Sequence, residues 1–317
     1  MSISNRNGRA LEFAYLIVFE DQIKPKRNII IEENSSFKAA KLAWESIPTD
    51  MQNTFLLSAK AGIMAIFDAE PLILEDGNDV LDIKIQADEA GKKGDVRDIL
   101  IIRRGIHWEI GVSVKNNHFA VKHSRLSRTL DFGEKWFGIN CSQQYWKEIK
   151  PIFQYLAECK KKKMTWNELP SKETDVYIPL LSAFLNEVKH NYAIHGDVLV
   201  KNMVEYLIGK YDFYKTVGQN SKKLTQIQPF NFRGMLNKSS EKQKPKLIIP
   251  MSTLPKRIIA ADFKPDSNNT VEIFMDEGWQ FSFRIHNAST KVETSLKFDI
   301  QIVGMPSTII CIDYMWK

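Results

Sequence analysis

The chain has 317 residues and a mass of 36.6 kDa, with 44 Lys+Arg against 38 Asp+Glu and a pI near 9.0. At 44% hydrophobic and 26% charged residues it is too apolar for a disordered chain and too polar for a membrane protein. Its length allows one large domain or two smaller ones. Three cysteines, Cys141, Cys159 and Cys311, show no CxxC spacing, which argues against a disulfide framework or a cysteine-rich zinc site and fits a reduced cytosolic chain. The apolar stretch near the N-terminus is broken by Glu12 and lacks a small-residue cleavage site, and no run approaches the roughly eighteen apolar residues of a membrane span. A soluble cytoplasmic protein is expected.

Leu11, Tyr15, Val18 and Phe19 recur at helical spacing, predicting a helix over Arg9–Glu20. Further helices are expected over Ser36–Ser46 and over Thr49–Asp68, with Thr49 as N-cap. Asp79–Ala87 alternates as a half-buried strand does. Asp98-Ile-Leu-Ile-Ile-Arg, the turn signal Arg104-Gly105 and the run Ile106–Lys115 predict a β-hairpin. Helices follow over Ser142–Lys162, interrupted by Pro151, over Asp175–Tyr192 and over Gly196–Leu207, where Gly209 is the stop. Residues 217–257 are polar, basic and poor in periodic structure, and the last sixty alternate as antiparallel strands. The element order and the change of texture suggest an α/β catalytic lobe at 1–216 and a basic arm with a strand-rich region at 217–317, unless the two form one continuous domain.

The hairpin carries the chemistry. Glu109, Gly111, Ser113 and Lys115 share one face of its second strand. With a two-residue turn at Arg104-Gly105, Asp98 lies opposite Gly111, and Glu109 and Ser113 are its diagonal neighbours at roughly 7–8 Å. Carboxylates of this kind hold a hard divalent cation, and a nearby lysine orients water or offsets charge on a phosphate. From spacing alone, a solvated hairpin face explains the same residues. Gly111 marks either a bulge or a close approach.

The arrangement Asp98-Ile-Leu-Ile-Ile followed by Gly111-Val-Ser-Val-Lys115 resembles the PD-(D/E)XK nuclease core, in which an Asp opens one strand and an acid-x-Lys triplet follows on the next. Longer stretches are similar to the HaeIII-type restriction endonucleases, which cut GGCC. They are NGRALEFAY at 7–15, GDVRDILI at 94–101, EIGVSVKNNHFAVKHSRLS at 109–127, DFGEKWFG at 131–138 and FRIHNASTKVETSLKFDIQ at 283–301. The resemblance implies an α/β (α+β) fold: a PD-(D/E)XK restriction-endonuclease-like core with a strand-rich C-terminal DNA-recognition region. It implies Mg²⁺-dependent hydrolysis of double-stranded DNA, with Asp98 and Lys115 as catalytic residues. The acid of the triplet is replaced by Ser113. Glu109 ranks first as the relocated carboxylate and as metal ligand beside Asp98, although it lies about 20 Å along an ideal strand from Lys115. Glu12, on the first helix, ranks second, followed by Glu134 and Asp131. Asp95 is the fallback for Asp98 if the register shifts.

Asn116, His118, Lys122 and Arg125 follow the catalytic strand as a basic segment; helical spacing would show His118, Lys122 and Arg125 on one side, facing flanking phosphates. Arg284 and His286 share a strand face, and with Asn287 they are of types able to read base edges. A buried structural network is the alternative for these three. The resemblance implies a type II restriction endonuclease of the bacterial cytoplasm, cutting bluntly between G and C. A separate cognate methyltransferase would act on the same site, and the palindrome suits a homodimer on DNA. The rival readings are a PD-(D/E)XK nuclease of other specificity, from repair or a mobile element, and a non-catalytic DNA-binding protein. Lys222–Arg257 holds nine basic residues and one acid, a local surplus of +8 in a chain whose total is +6, which suggests a flexible basic arm closing on phosphates.

Overall fold

Helical periodicity in the first seventy residues and period-two alternation in the last sixty both reappear in the computed structural model, which describes residues 3–74, 79–87, 94–117 and 121–317. Helix α1 spans Ile3–Ile23, strand β1 Ile29–Ile31, α2 Ser35–Glu45, α3 Thr49–Ala69 and the single turn α4 Pro71–Leu74. Strands β2 (Leu81–Ile85), β3 (Ile99–Arg103), β4 (Trp108–Asn116) and β5 (Lys122–Ser127) follow. Then come α5 (Phe132–Phe137), α6 (Gln143–Lys161), α7 (Ile178–His195) and α8 (Asp197–Ile208). Strands β6 (Phe213–Gln219), β7 (Leu224–Phe230), β8 (Ile258–Phe263), β9 (Thr270–Met275), β10 (Gln280–His286), β11 (Ser295–Gly304) and β12 (Ile312–Met315) complete the chain.

Two local expectations change. Pro48, not Thr49, occupies the cap position of α3, with no side-chain cap bond. Helix α6 runs through Pro151, which is exposed, so its missing N–H and its ring are accommodated on the solvent side. Gly209 does end α8's run, at a φ of +116° that disfavours a side chain. None of the described helices is long and apolar enough to cross a membrane.

The chain forms two compact units. One comprises Met1–Phe119, Gly209–Thr253 and Ser307–Lys317; the other comprises Ala120–Ile208 and Leu254–Pro306. The composition break at 216/217 falls inside β6, whose seven residues are all buried, and coincides with no edge of either unit.

The first unit is built on a seven-stranded sheet ordered β1-β2-β3-β4-β6-β7-β12, in which β1/β2 and β4/β6 are parallel and the other pairs antiparallel. One face packs Ile99, Ile101, Ile110, Val112, Val114, Tyr214 and Ile227 into the core that also holds Ala14 and Tyr15 of α1 and Phe55, Ala59 and Ile63 of α3. A one-residue slip would turn this set outwards, at about 1.5–3 kcal/mol per large side chain, so the register is firmly held. The opposite face of the same strands mixes buried apolar side chains, Leu100, Phe213 and Val217, with the polar Asp98, Ser113, Lys115 and Lys215.

The segment after β7 is anchored, not a free arm. Asp212 accepts backbone N–H bonds from Phe232, Arg233 and Met235 at 2.6–2.8 Å. Glu70 accepts one from Asn237 at 2.7 Å, Lys246 pairs with Asp68 at 2.7 Å, and Leu236 and Ile249 are buried. Residues 217–230, expected to be irregular, are the end of β6, a turn and β7; β6 is buried along its whole length and shows no alternation to reveal it.

The second unit is built on an antiparallel sheet ordered β5-β11-β10-β9-β8. Its inner face carries Leu126, Phe283, Ile285 and Phe298, all fully buried. They meet an aromatic cluster in which Trp136 stacks on Tyr206 at 5.3 Å and on Phe283 at 5.9 Å. The outer face alternates to polar residues.

Candidate active site

Four residues, not two, connect β3 to β4: Arg104–Ile106 form a 3₁₀ turn and His107 adopts φ 51°. Each extra pair of turn residues moves the register by two. Leu100, not Asp98, is therefore the partner of Gly111, and Ile99 pairs with Val112. Asp98, just before β3, donates its N–H to Val112 O at 2.9 Å and so stands beside Ser113. The shift replaces Glu109 by Lys115 as its diagonal neighbour.

Three donors converge on one oxygen as a result. Asp98 Oδ2 accepts from Ser113 Oγ at 3.0 Å, from the Val114 N–H at 2.7 Å and from Lys115 Nζ at 3.0 Å. Asp98 Oδ1 takes no part in these bonds. The ion pair is half-open to solvent, with 31% of the lysine and 22% of the aspartate side chain exposed. Such a carboxylate is fixed in orientation and still reachable.

Glu109 is held elsewhere. Its Oε1 accepts from Arg97 Nη1 at 2.7 Å, and Arg97 also grips both oxygens of Asp95 at 2.7–2.8 Å. The Arg97 side chain lies across Gly111, where an added Cβ would overlap its Cβ, Cγ and Cδ. Gly111 thus admits a side chain at close quarters and is not a bulge. Arg97 also stacks over Tyr211 at 4.1 Å. It therefore separates Glu109 from Ser113 and Asp98 on that face, and the expected Asp98–Glu109 pair is not brought together. Asp95 is likewise committed to Arg97.

Lys215 was not singled out by the sequence. In the parallel β4/β6 pairing it stands beside Ser113, 4% exposed, in the same cross-strand row. Burial, and after it the positive charge of Lys115, pushes its pKa down to about 8. A lysine inside the apolar run Phe213–Val217 was the available signal, since buried lysines without purpose are rare. On the next strand Gln228 continues the row, with its Nε2 at 3.2 Å from Gln226 Oε1.

The remaining candidates divide. Glu12 is half-buried on α1, which packs against β4. Asp131 caps α5, accepting from the N–H groups of Glu134 (2.9 Å) and Cys141 (3.1 Å), and Glu134 is exposed on that helix. Asn116 ends β4, half-buried; His118 lies outside the described residues. The helix expected after Lys115 is strand β5, because pairing with β11 imposes a period of two: Ser124 and Leu126 are buried, Arg125 exposed. Lys122 and Arg125 consequently point to opposite faces. Lys122 donates to Tyr206 O at 2.8 Å and lies 3.6 Å from that ring's centroid, and burial pushes its pKa down to about 8. It is a packing residue of the inner face. Arg284 and His286 share the outer face of β10, with Arg284 bonded to Asp299 at 3.1 Å. Asn287 shapes a turn, donating to Ser289 O at 2.8 Å and accepting from Tyr177 OH at 3.3 Å. Among the described residues no three His, Cys, Asp or Glu side chains cluster as a ready metal cage.

No solved structure is detectably similar. The chain is 52% identical over 314 residues, 99% of its own length and 98% of the relative's, to the type II restriction enzyme HaeIII of Haemophilus aegyptius. Residues 8–306 match the HaeIII restriction endonuclease family. The hairpin with Asp98 and Lys115, the Arg97 clamp and every strand of both sheets except β12 fall within that span, and the chain belongs to this family of restriction endonucleases.

Proposed function

We propose that this protein is a Mg²⁺-dependent type II restriction endonuclease that cleaves double-stranded DNA at GGCC, on a PD-(D/E)XK core. Family membership supports the substrate class. The observation that carries the active-site reading is the convergence of Ser113, Val114 and Lys115 on a single oxygen of Asp98.

The donor set suits Mg²⁺, which keeps most of its waters and needs only one or two carboxylates besides substrate phosphate. Asp98 and Glu12 are the residues that would hold it; Glu109 is bound to Arg97. Once bound, such an ion supplies Lewis acidity and a more acidic water. Asp98 is held by the three donors through Oδ2, which leaves Oδ1 for a ligand. Ser113, standing where the generic PD-(D/E)XK pattern has an acid, donates a hydrogen bond and so fixes Asp98 instead of adding a second carboxylate. The Lys115 ammonium, 3.0 Å from Asp98, orients an attacking water and offsets charge growing on the phosphate. Lys215 adds a second positive charge in the same cross-strand row, beside Ser113.

The GGCC reading carries a blunt cut between G and C, a separate methyltransferase protecting the same site and, from the site's twofold symmetry, action as a homodimer. Digestion of two plasmids, one with GGCC and one without, in the presence and absence of Mg²⁺ tests it. Fragments ending at GGCC only with Mg²⁺ are expected. Equal cleavage of both plasmids would favour a nuclease of other specificity, and no cleavage a DNA-binding protein.

A further inference from the structure

The outer face of the five-stranded sheet sets three basic residues side by side. The register places Arg125 of β5 beside Lys297 of β11, and Lys297 beside His286 of β10. Neighbouring strands are about 4.8 Å apart, so these side chains rise from one short line. Like charges facing each other across strands are destabilising. The inner face of the same strands is filled by Leu126, Ile285 and Phe298, so a compensating anion can reach the row only from the outside.

The three neighbours differ in what already occupies them. Arg125 donates to Ser295 Oγ at 2.8 Å and has Glu293 at 3.7 Å. His286 Nδ1 lies 3.0 Å from Asn287 O. Lys297, half-buried, has no hydrogen-bond or ion-pair partner among the described residues. One row further along, the charge is balanced, since Arg284 faces and bonds Asp299. The row beyond holds Gln301, Ser282 and Glu272. The face is thus basic at one end only, and its uncompensated centre is Lys297, a compact point charge suited to phosphate.

We propose that Lys297, flanked by Arg125 and His286, is a DNA-phosphate contact at the basic end of this sheet. This rests on the endonuclease reading but not on its metal site. Arg284, which stands out in the sequence, is the more compensated cation of the two.

The test is equilibrium binding of wild type, Lys297→Gln and Lys297→Arg to a GGCC duplex and to a scrambled duplex, without divalent metal, between 50 and 200 mM salt. For Lys297→Gln the expected result is a loss of roughly tenfold for both duplexes, with the slope of log affinity against log salt reduced by about one. Lys297→Arg, which keeps the charge, retains the wild-type slope. An unchanged affinity and slope in Lys297→Gln overturns the proposal. So does a loss confined to the GGCC duplex, which would mean base reading, or a lost slope in Lys297→Arg. Asp98→Ala, measured in parallel, keeps the two readings apart: cleavage by that variant would remove the active-site assignment and leave the Lys297 result standing.

Discussion

The two sheets treat polar side chains in opposite ways. In the seven-stranded sheet Asp98, Ser113, Lys115 and Lys215 are packed together in one cross-strand neighbourhood, and two of them are almost inaccessible. In the five-stranded sheet the outer face stays open, and Arg125 and Arg284 are exposed. A crowded row fixes positions and charge interactions, which suits chemistry. An open face offers charges that a large polyanion covers, which suits binding. Mutations should therefore separate cleanly: the crowded row controls turnover, the open face controls affinity.

Lys215→Met should break that separation most visibly. Removing a fixed charge beside the reacting centre is expected to lower cleavage by roughly a hundredfold. It should also raise the melting temperature, because the wild-type ammonium is desolvated. The lysine's pKa falls from its ordinary 10.5 to about 8 on folding. Below pH 8 it is charged in both states and the burial cost is fully present; as pH rises from 8 towards 10.5 the folded form is neutral, the unfolded chain binds more protons, and the cost disappears. The melting difference between variant and wild type should shrink over that window, as calorimetry at a series of pH values would show. A variant that melts lower than wild type at pH 7 contradicts this picture.

Glu12→Gln and Glu109→Gln sharpen the assignment of carboxylates. Glu109 lies four residues from Ser113 along β4, about 13 Å, and is bound to Arg97. Glu109→Gln should cost cleavage no more than severalfold, and Glu12→Gln tenfold or more, with apparent Mg²⁺ affinity falling only in the latter. The reverse order would restore Glu109 as the metal carboxylate.

Gly111→Ala probes the crowding itself. Its Cβ would overlap an Arg97 that is only 5% exposed and held by two acids, so a loss of about 1–3 kcal/mol is expected in chemical denaturation. Unchanged stability would mean that Arg97 is free to move aside. The smallest effect belongs to the open face: Arg284→Ala should weaken DNA binding only severalfold, less than Lys297→Gln, because Arg284 already has Asp299 as a partner.

Much of this was legible in the residues. Helix α1, helix α3, the β3–β4 hairpin and the C-terminal strands follow from local periodicity, while Asp98 and Lys115 stand out only when the resemblance to the nuclease core is added to their places on the hairpin. The register was not, because His107 and Ile106 join the turn and nothing local marks them as turn residues. That two-residue difference decides whether Asp98 meets Glu109 or Lys115. Strand β5 was read as helix because Lys122 and Arg125 fit helical spacing, while its pairing with β11, some 170 residues away, is invisible locally. Strand β6 and Lys215 were missed for the same reason. Long-range pairing, not propensity, brings the candidate residues together.

The most direct test of the central claim is cleavage of a GGCC plasmid in Mg²⁺ by wild type, Asp98→Ala and Lys115→Ala, with duplex binding measured on the same preparations. Both variants are predicted to lose cleavage by at least a thousandfold while binding the duplex within a few-fold of wild type. Wild-type cleavage by either variant would contradict the account.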